Sequence, residues 1–183
     1  MLDGLLKNYL DLFPEERADL KSLLAQLEVG ELLNDRRNFH GHITASGIVL
    51  SADLTKILLI HHKLFKVWQQ PGGHWEAGES SPLVAACREV IEETGIHLAY
   101  GVNILPDNPL VPLDINSHEV PARPQKDEPI HRHHDFRYLF IAKDKHLIHQ
   151  KAEVNGAKWF DLHDPAAMRT GSCIPKLKRL KII

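Results

Sequence analysis

The stretch that decides the fold runs from Pro71 to Ile96, PGGHWEAGESSPLVAACREVIEETGI. Two adjacent glycines and a short polar turn lead into a segment whose apolar and acidic residues separate when wound at about 100° per residue. Ser81 followed by Pro82 supplies an N-cap and a first helical turn, and Gly95 supplies a left-handed C-terminal cap, so a helix is expected over Pro82 to Thr94. On that helix Glu89, Glu92 and Glu93 share one face. Leu83, Val84, Cys87, Val90, Ile91 and Thr94 are expected to form the buried stripe opposite, and Arg88 to pair with Glu92 on the next turn.

Three clustered carboxylates repel one another, and a hard divalent cation bound through their oxygens would relieve the repulsion. The alternative is an acidic face that meets only solvent. Metal-assisted hydrolysis needs charge neutralised on the oxygens of the reacting group, a water oriented in line, and a base or metal to activate it. Such a cluster can supply all three. Gly72 and Gly73, read as part of a turn, let the backbone approach a metal or phosphate closely.

The order of these residues resembles the Nudix box, G-x5-E-x7-R-E-U-x-E-E-x-G-U with U aliphatic. Gly73, Glu79, Arg88, Glu89, Val90, Glu92, Glu93, Gly95 and Ile96 stand at its positions, except that Ser80 to Cys87 place one extra residue between Glu79 and Arg88. The extra residue is expected in the turn before Pro82, which leaves the helix face intact and puts the role of Glu79, not of the other glutamates, in question. The resemblance implies an α/β fold, the α/β/α sandwich with a mixed sheet. It also implies a hydrolase that cleaves the phosphoanhydride of a nucleoside diphosphate linked to another moiety. Its metal would be Mg²⁺ or Mn²⁺, held by Glu89, Glu92, Glu93 and the Gly72 carbonyl, with Arg88 as an orienting ion-pair partner. Glu153, shortly before Trp159, fits the further catalytic glutamate that several Nudix enzymes recruit from a late loop. A Nudix-fold nucleotide-binding module or regulator without turnover is the alternative, although none of the three helix carboxylates is lost.

With 183 residues, 43% of them hydrophobic and 25% charged, the chain suits a single domain with a sizeable core. The net charge of -2 gives no bulk attraction to extended nucleic acid or to an anionic membrane, so a small-molecule nucleotide or nucleotide-sugar must be met by local charge. Two cysteines make no disulfide framework, and the first residues lack a basic segment followed by an apolar run. A reducing, cytoplasmic location is expected.

Leu2, Leu5, Leu6, Tyr9, Leu10 and Phe13, then Leu20, Leu23, Leu24 and Leu27, recur at helical spacing. They define an N-terminal helical extension over 1–38, packed on a catalytic core over 39–183; a lid or a homodimer contact is the other reading of these helices. Strands are expected at HITASGIVLS, TKILLIHH, Val67 to Gln70, Leu98 to Leu105, Leu113 to Val120, His131 to Ala142 and Ala157 to Leu162. An amphipathic helix is expected near Ile174 to Leu180, with Lys176 on its polar side.

In EPIHRHHDFRYLF, strand alternation puts His131, His133, Asp135 and Arg137 on one face and His134, Phe136, Tyr138 and Phe140 on the other, with the aromatics toward the core. The histidine face is expected to line the substrate groove together with His74; a transition-metal site and a purely structural role are the alternatives. Trp68, Trp75, Phe136 and Tyr138 are candidates for stacking on a base.

Overall fold

The computed structural model describes residues 2–148 and 154–183. The leucine-rich start forms α1 (Leu2–Leu12) and α2 (Lys21–Glu28), joined through a 3-10 turn at Pro14–Ala18. Leu5, Leu6, Tyr9, Phe13, Leu20 and Leu23 are at most 2% exposed, so these helices are packed as part of the core. At roughly 2 kcal/mol for each large apolar side chain buried, that contact is substantial.

The elements that follow are β1 (His42–Leu50), β2 (Lys56–His62), β3 (Trp68–Gln69), β4 (Gly72–His74), α3 (Pro82–Thr94), β5 (Leu98–Gly101) and β6 (Asp114–Val120). The chain continues with β7 (His131–Ala142), β8 (Val154–Asp161), α4 (Pro165–Met168) and α5 (Cys173–Arg179). The sheet runs β3-β2-β1-β7-β5, with β4 also paired to β1, β6 to β7 and β8 to β2. Only the central β1–β7 pair is parallel, so the sheet is mixed. Every residue of β1 is buried, as expected of a strand covered on both faces.

Alternation along β1 assigns the two faces. Ile43, Ala45 and Val49 join Ala85, Ala86 and Val90 of α3 and the leucines of α1 in one apolar cluster. Ile48 and Leu50 join Ile174 and Leu177 of α5 in the other. Helices therefore cover both sides, giving the expected α/β/α sandwich. On the second face α5 shields only the Ile48 and Leu50 end; toward the start of β1 the same face carries His42, Thr44 and Ser46 and opens into a cleft.

Three local expectations need correction. Gly72 and Gly73 belong to strand β4, in register with Ser46 and Ala45, and not to a turn. The buried face of α3 is shifted in part: Val90 and Thr94 are buried and Leu83 and Cys87 pack against the core as expected, but Val84 and Ile91 are 44% and 47% exposed, whereas Ala85, Ala86, Glu89 and Glu93 are buried. The helix sits so close to β1 that a Cβ on Gly47 would lie 2.2 Å from Val90 Cγ2, so Val90 packs directly on the strand while Val84 and Ile91 turn outward. Lys176 is also buried: its Nζ donates to Asp114 and to Glu16, each at 2.6 Å, and to the Tyr9 hydroxyl. Tyr9 in turn accepts from the Ile115 amide, so one polar network ties the N-terminal helices to β6 and α5.

Candidate active site

The helix carrying the glutamates has the expected limits. Ser81 is extended (φ -165°, ψ 162°) and its hydroxyl accepts from the Val84 amide, while Gly95 closes the helix at φ 63°. Arg88 organises what lies between. Its Nε donates to Glu79 at 2.8 Å, its Nη1 to Glu89 at 2.8 Å and to Glu92 at 3.1 Å, and its Nη2 to the His74 carbonyl at 3.0 Å. The pairing of Arg88 with Glu92 alone is thus corrected: the turn folds back, and one guanidinium fork serves three carboxylates.

Glu79 anchors the Arg88 guanidinium from the turn. Burial alone would raise its carboxyl, but the hydrogen bonds from Arg88 and from the Glu76 amide hold it below the usual range. Ser80 and Ser81 lie between Glu79 and the first helical residue, Pro82.

Glu89 and Glu93 stand against β4. Glu93 Oε2 accepts from the Gly72 amide at 2.9 Å. A Cβ on Gly73 would lie 2.2 Å from Glu89 Oε1, and one on Gly72 would meet Ser46 Oγ at 2.3 Å and the Ala45 carbonyl at 2.7 Å. Successive residues of the strand therefore face opposite ways, Gly73 toward the carboxylates and Gly72 toward the cleft side of β1. Glu92, the outermost of the three, has 54% of its side chain exposed. The donor set is all oxygen, with two carboxylates buried at a glycine strand, which fits a hard divalent cation.

The cleft, about 800 Å³, lies across β4 from the glutamates. Its lining includes Gly72, Gly73, His74, His133, Asp135 and Arg137 but none of the three helix carboxylates, so the two features share the backbone of β4. Among its described lining residues Arg36, Lys63, Arg123, Lys126, Arg137 and Arg169 are basic and Asp135 alone is acidic. A chain of slight negative charge thus concentrates positive charge along this cleft.

Asp135 is fully engaged: Oδ1 accepts from Ser46 at 2.7 Å and Thr44 at 3.3 Å, and Oδ2 from Arg137 at 2.9 Å and Gln70 at 3.2 Å. It holds the wall of the cleft together. His74 and His133 face the cleft, and burial pushes them down to about 4 and about 2, so both are neutral imidazoles at pH 7. His131, 6% exposed, is outside the lining and packs on His42 and His133. Of the stacking candidates, Trp68 borders the cleft, whereas Phe136 and Tyr138 are core residues at 0% and 3% exposure. The Trp75 indole donates to the Glu79 carbonyl and fixes the turn. Glu153 lies outside the described residues.

Sequence reading missed His42 and most of the basic rim. The signal for His42 was present in the polar alternation His42, Thr44, Ser46 within an otherwise apolar strand. The rim comes from distant loops, and nothing local in the sequence joins its members.

A model of the NUDIX domain matches residues 41–177. The chain belongs to the NUDIX family. A curated relative, the probable DHNTP pyrophosphohydrolase of Lactococcus lactis subsp. cremoris (strain MG1363), is 36% identical over 118 residues, which are 64% of this chain. The chain spans 61% of that relative's length. Among solved structures, a NUDIX family hydrolase from Clostridium perfringens is similar with a TM-score of 0.58 and 22% identity, covering 79% of this chain and 98% of that one. A C. elegans Ap4A hydrolase (TM-score 0.54, 19% identity) covers 76% of this chain and 97% of its own. The NUDIX domain of Shewanella oneidensis NrtR, solved with ADP ribose (TM-score 0.54, 17% identity), covers 85% and 97%. These structures share the Nudix fold with this chain. Arg88, Glu89, Glu92 and Glu93 all fall within the matched segment.

Proposed function

We propose that this protein is a divalent-metal-dependent Nudix hydrolase that cleaves the phosphoanhydride of a nucleoside diphosphate linked to another moiety. The observation that carries the proposal is the Arg88-organised set of Glu89, Glu92 and Glu93 against β4, with a cleft of basic lining on the other side of that strand. Glu89, Glu92, Glu93 and the Gly72 carbonyl are the groups that would hold Mg²⁺ or Mn²⁺. A bound ion would neutralise charge on the phosphate oxygens and make water a better nucleophile. Arg88 holds the carboxylate rotamers, and its bond to the His74 carbonyl keeps β4 in place against the helix. Glu92, the solvent-accessible member, is suited to accept the proton that water loses on attack. The basic rim binds the phosphates, and Trp68 with the half-exposed Phe65 offers aromatic surface to a base.

A heteroaromatic triphosphate is the second reading, favoured by the name of the 36% identical relative and by the six basic residues of the cleft. The reading extends to one domain over 1–183 and to action in the cytoplasm, in keeping with the free thiols of Cys87 and Cys173. No helix among the described residues is long and apolar enough to cross a membrane. The test is a substrate panel of ADP-ribose, other nucleotide sugars, Ap4A, DHNTP, nucleoside triphosphates and coenzyme A, each with Mg²⁺, with Mn²⁺ and with chelator. Turnover of at least one compound is expected only with metal, and Glu92→Gln and Glu93→Gln should each lower it at least about a hundredfold. Tight nucleotide binding by calorimetry without turnover across the panel would favour a binding module instead.

A further inference from the structure

We propose a second metal site, for a borderline transition ion of the Zn²⁺ class, formed by the imidazoles of His42, His131 and His133. It is independent of the hydrolase reading, because its donors are nitrogens on β1 and β7 while those on α3 are carboxylate oxygens.

The backbone brings the three rings together. His42 opens β1 directly beside His133 in the parallel register, and His131 lies two residues earlier on the same face of β7. One ligand nitrogen from each ring lies within 4.8 Å of the others, and His131 Nε2 and His133 Nε2 are 3.1 Å apart. That separation is close to the edge of a tetrahedron around zinc, roughly 3.3 Å for bonds of about 2.0 Å.

The hydrogen bonds decide which nitrogens are available. His42 Nδ1 contacts the Asn38 carbonyl at 3.2 Å, and His131 Nδ1 contacts the Pro129 carbonyl at 2.8 Å. A carbonyl only accepts, so both Nδ1 atoms carry a proton, and Nε2 is the nitrogen that each ring can turn toward an ion. Carbonyl support behind a ring nitrogen is the usual way a metal-binding histidine is oriented. The second observation is His42 itself. It is 1% exposed, and its Nε2 is the one fully buried side-chain nitrogen or oxygen among the described residues with no hydrogen-bond partner. Leaving a polar atom buried in this way is unfavourable, and an ion bound at that nitrogen would offset the cost.

Three imidazole nitrogens without a carboxylate suit Zn²⁺, Co²⁺, Ni²⁺ or Cu²⁺ and disfavour Mg²⁺ and Ca²⁺. His74, its ring centroid 5.2 Å from that of His42 and 5.5 Å from that of His133, borders the remaining side. His74 and His133 also line the cleft, so the ion would add positive charge at its wall.

The test uses the full chain stripped with chelator. Titration with Co²⁺, followed by the visible absorption of a low-coordinate ion, should saturate at one equivalent, be reversed by Zn²⁺ and resist millimolar Mg²⁺. His133→Gln and His42→Gln should each weaken binding at least about a hundredfold, with folding checked by circular dichroism. His133, at the cleft, keeps the test decisive if His42→Gln does not fold. Glu89→Gln and Glu93→Gln should retain the Co²⁺ spectrum. Absence of stoichiometric binding, or binding unchanged in His133→Gln, overturns the proposal.

Discussion

Gly73→Ala separates the catalytic role of β4 from its structural role. The new Cβ would lie 2.2 Å from Glu89 Oε1 and 2.5 Å from Cδ, and both belong to the end of a side chain that can rotate. Ordinary contact requires the carboxylate to retreat by roughly 1 Å. The cost in stability should stay within about 1 to 2 kcal/mol, whereas misplacing a catalytic group by that distance lowers turnover about a hundredfold. Gly72→Ala is the control. Its Cβ would meet the Ala45 carbonyl at 2.7 Å and Ser46 Cα at 2.8 Å, which are backbone atoms of β1 and cannot yield without disturbing the β1–β4 pairing. About 2 to 3 kcal/mol should be lost there. Urea unfolding followed by circular dichroism gives the stabilities, and Mg²⁺-dependent turnover gives kcat. Wild-type kcat in Gly73→Ala, or a greater stability loss for Gly73→Ala than for Gly72→Ala, would refute the reasoning.

Glu79→Gln should slow turnover less than Glu93→Gln and should reduce thermal stability, because Arg88 loses the anion that accepts its Nε–H while keeping Glu89 and Glu92. Lys176→Met should cost about 3 kcal/mol in urea, since the Asp114 carboxylate, 1% exposed, loses one of its buried cationic partners. Acid should destabilise the chelator-treated protein through His74 and His134, both held near 4 by burial, and through His133, pushed down to about 2. Above about pH 6.5 the folded and unfolded chains both carry these rings neutral. Between 6.5 and 4 only the unfolded chain takes up the protons, so stability should fall by about 1.4 kcal/mol per pH unit for each ring, and below 4 the share of His74 and His134 levels off while that of His133 continues. Thermal unfolding across that range, with His134→Gln as comparison, measures the share of His134.

The parts legible in the sequence were those fixed by nearby residues. The limits of α3 follow from Ser81, Pro82 and Gly95, all within a turn of the helix ends, and β1 and β7 follow from long β-rich runs. β4 was not legible because Gly72-Gly73-His74 has almost no side-chain pattern; its pairing to Thr44–Ser46 makes it a strand. The face α3 buries was misread for a related reason. Val90 packs onto Gly47 as the apolar pattern requires, but Ala85, Ala86 and the paired carboxylates Glu89 and Glu93 are buried as well, and neither small size nor charge marks a buried position in the sequence. In the site, the glutamate face could be read from helical spacing, but the Glu79–Arg88 bond depends on how the turn folds back. The histidine cluster needed the register of β1 against β7, which no local pattern supplies.

The most direct test of the central claim is hydrolysis of the best panel substrate as a function of Mg²⁺ concentration in wild type, Glu92→Gln and Glu93→Gln. Saturable activation by Mg²⁺ in wild type is expected, with kcat reduced at least about a hundredfold in both variants. Metal-independent turnover, or full activity in both variants, would contradict the assignment of the α3 carboxylates as the catalytic metal site.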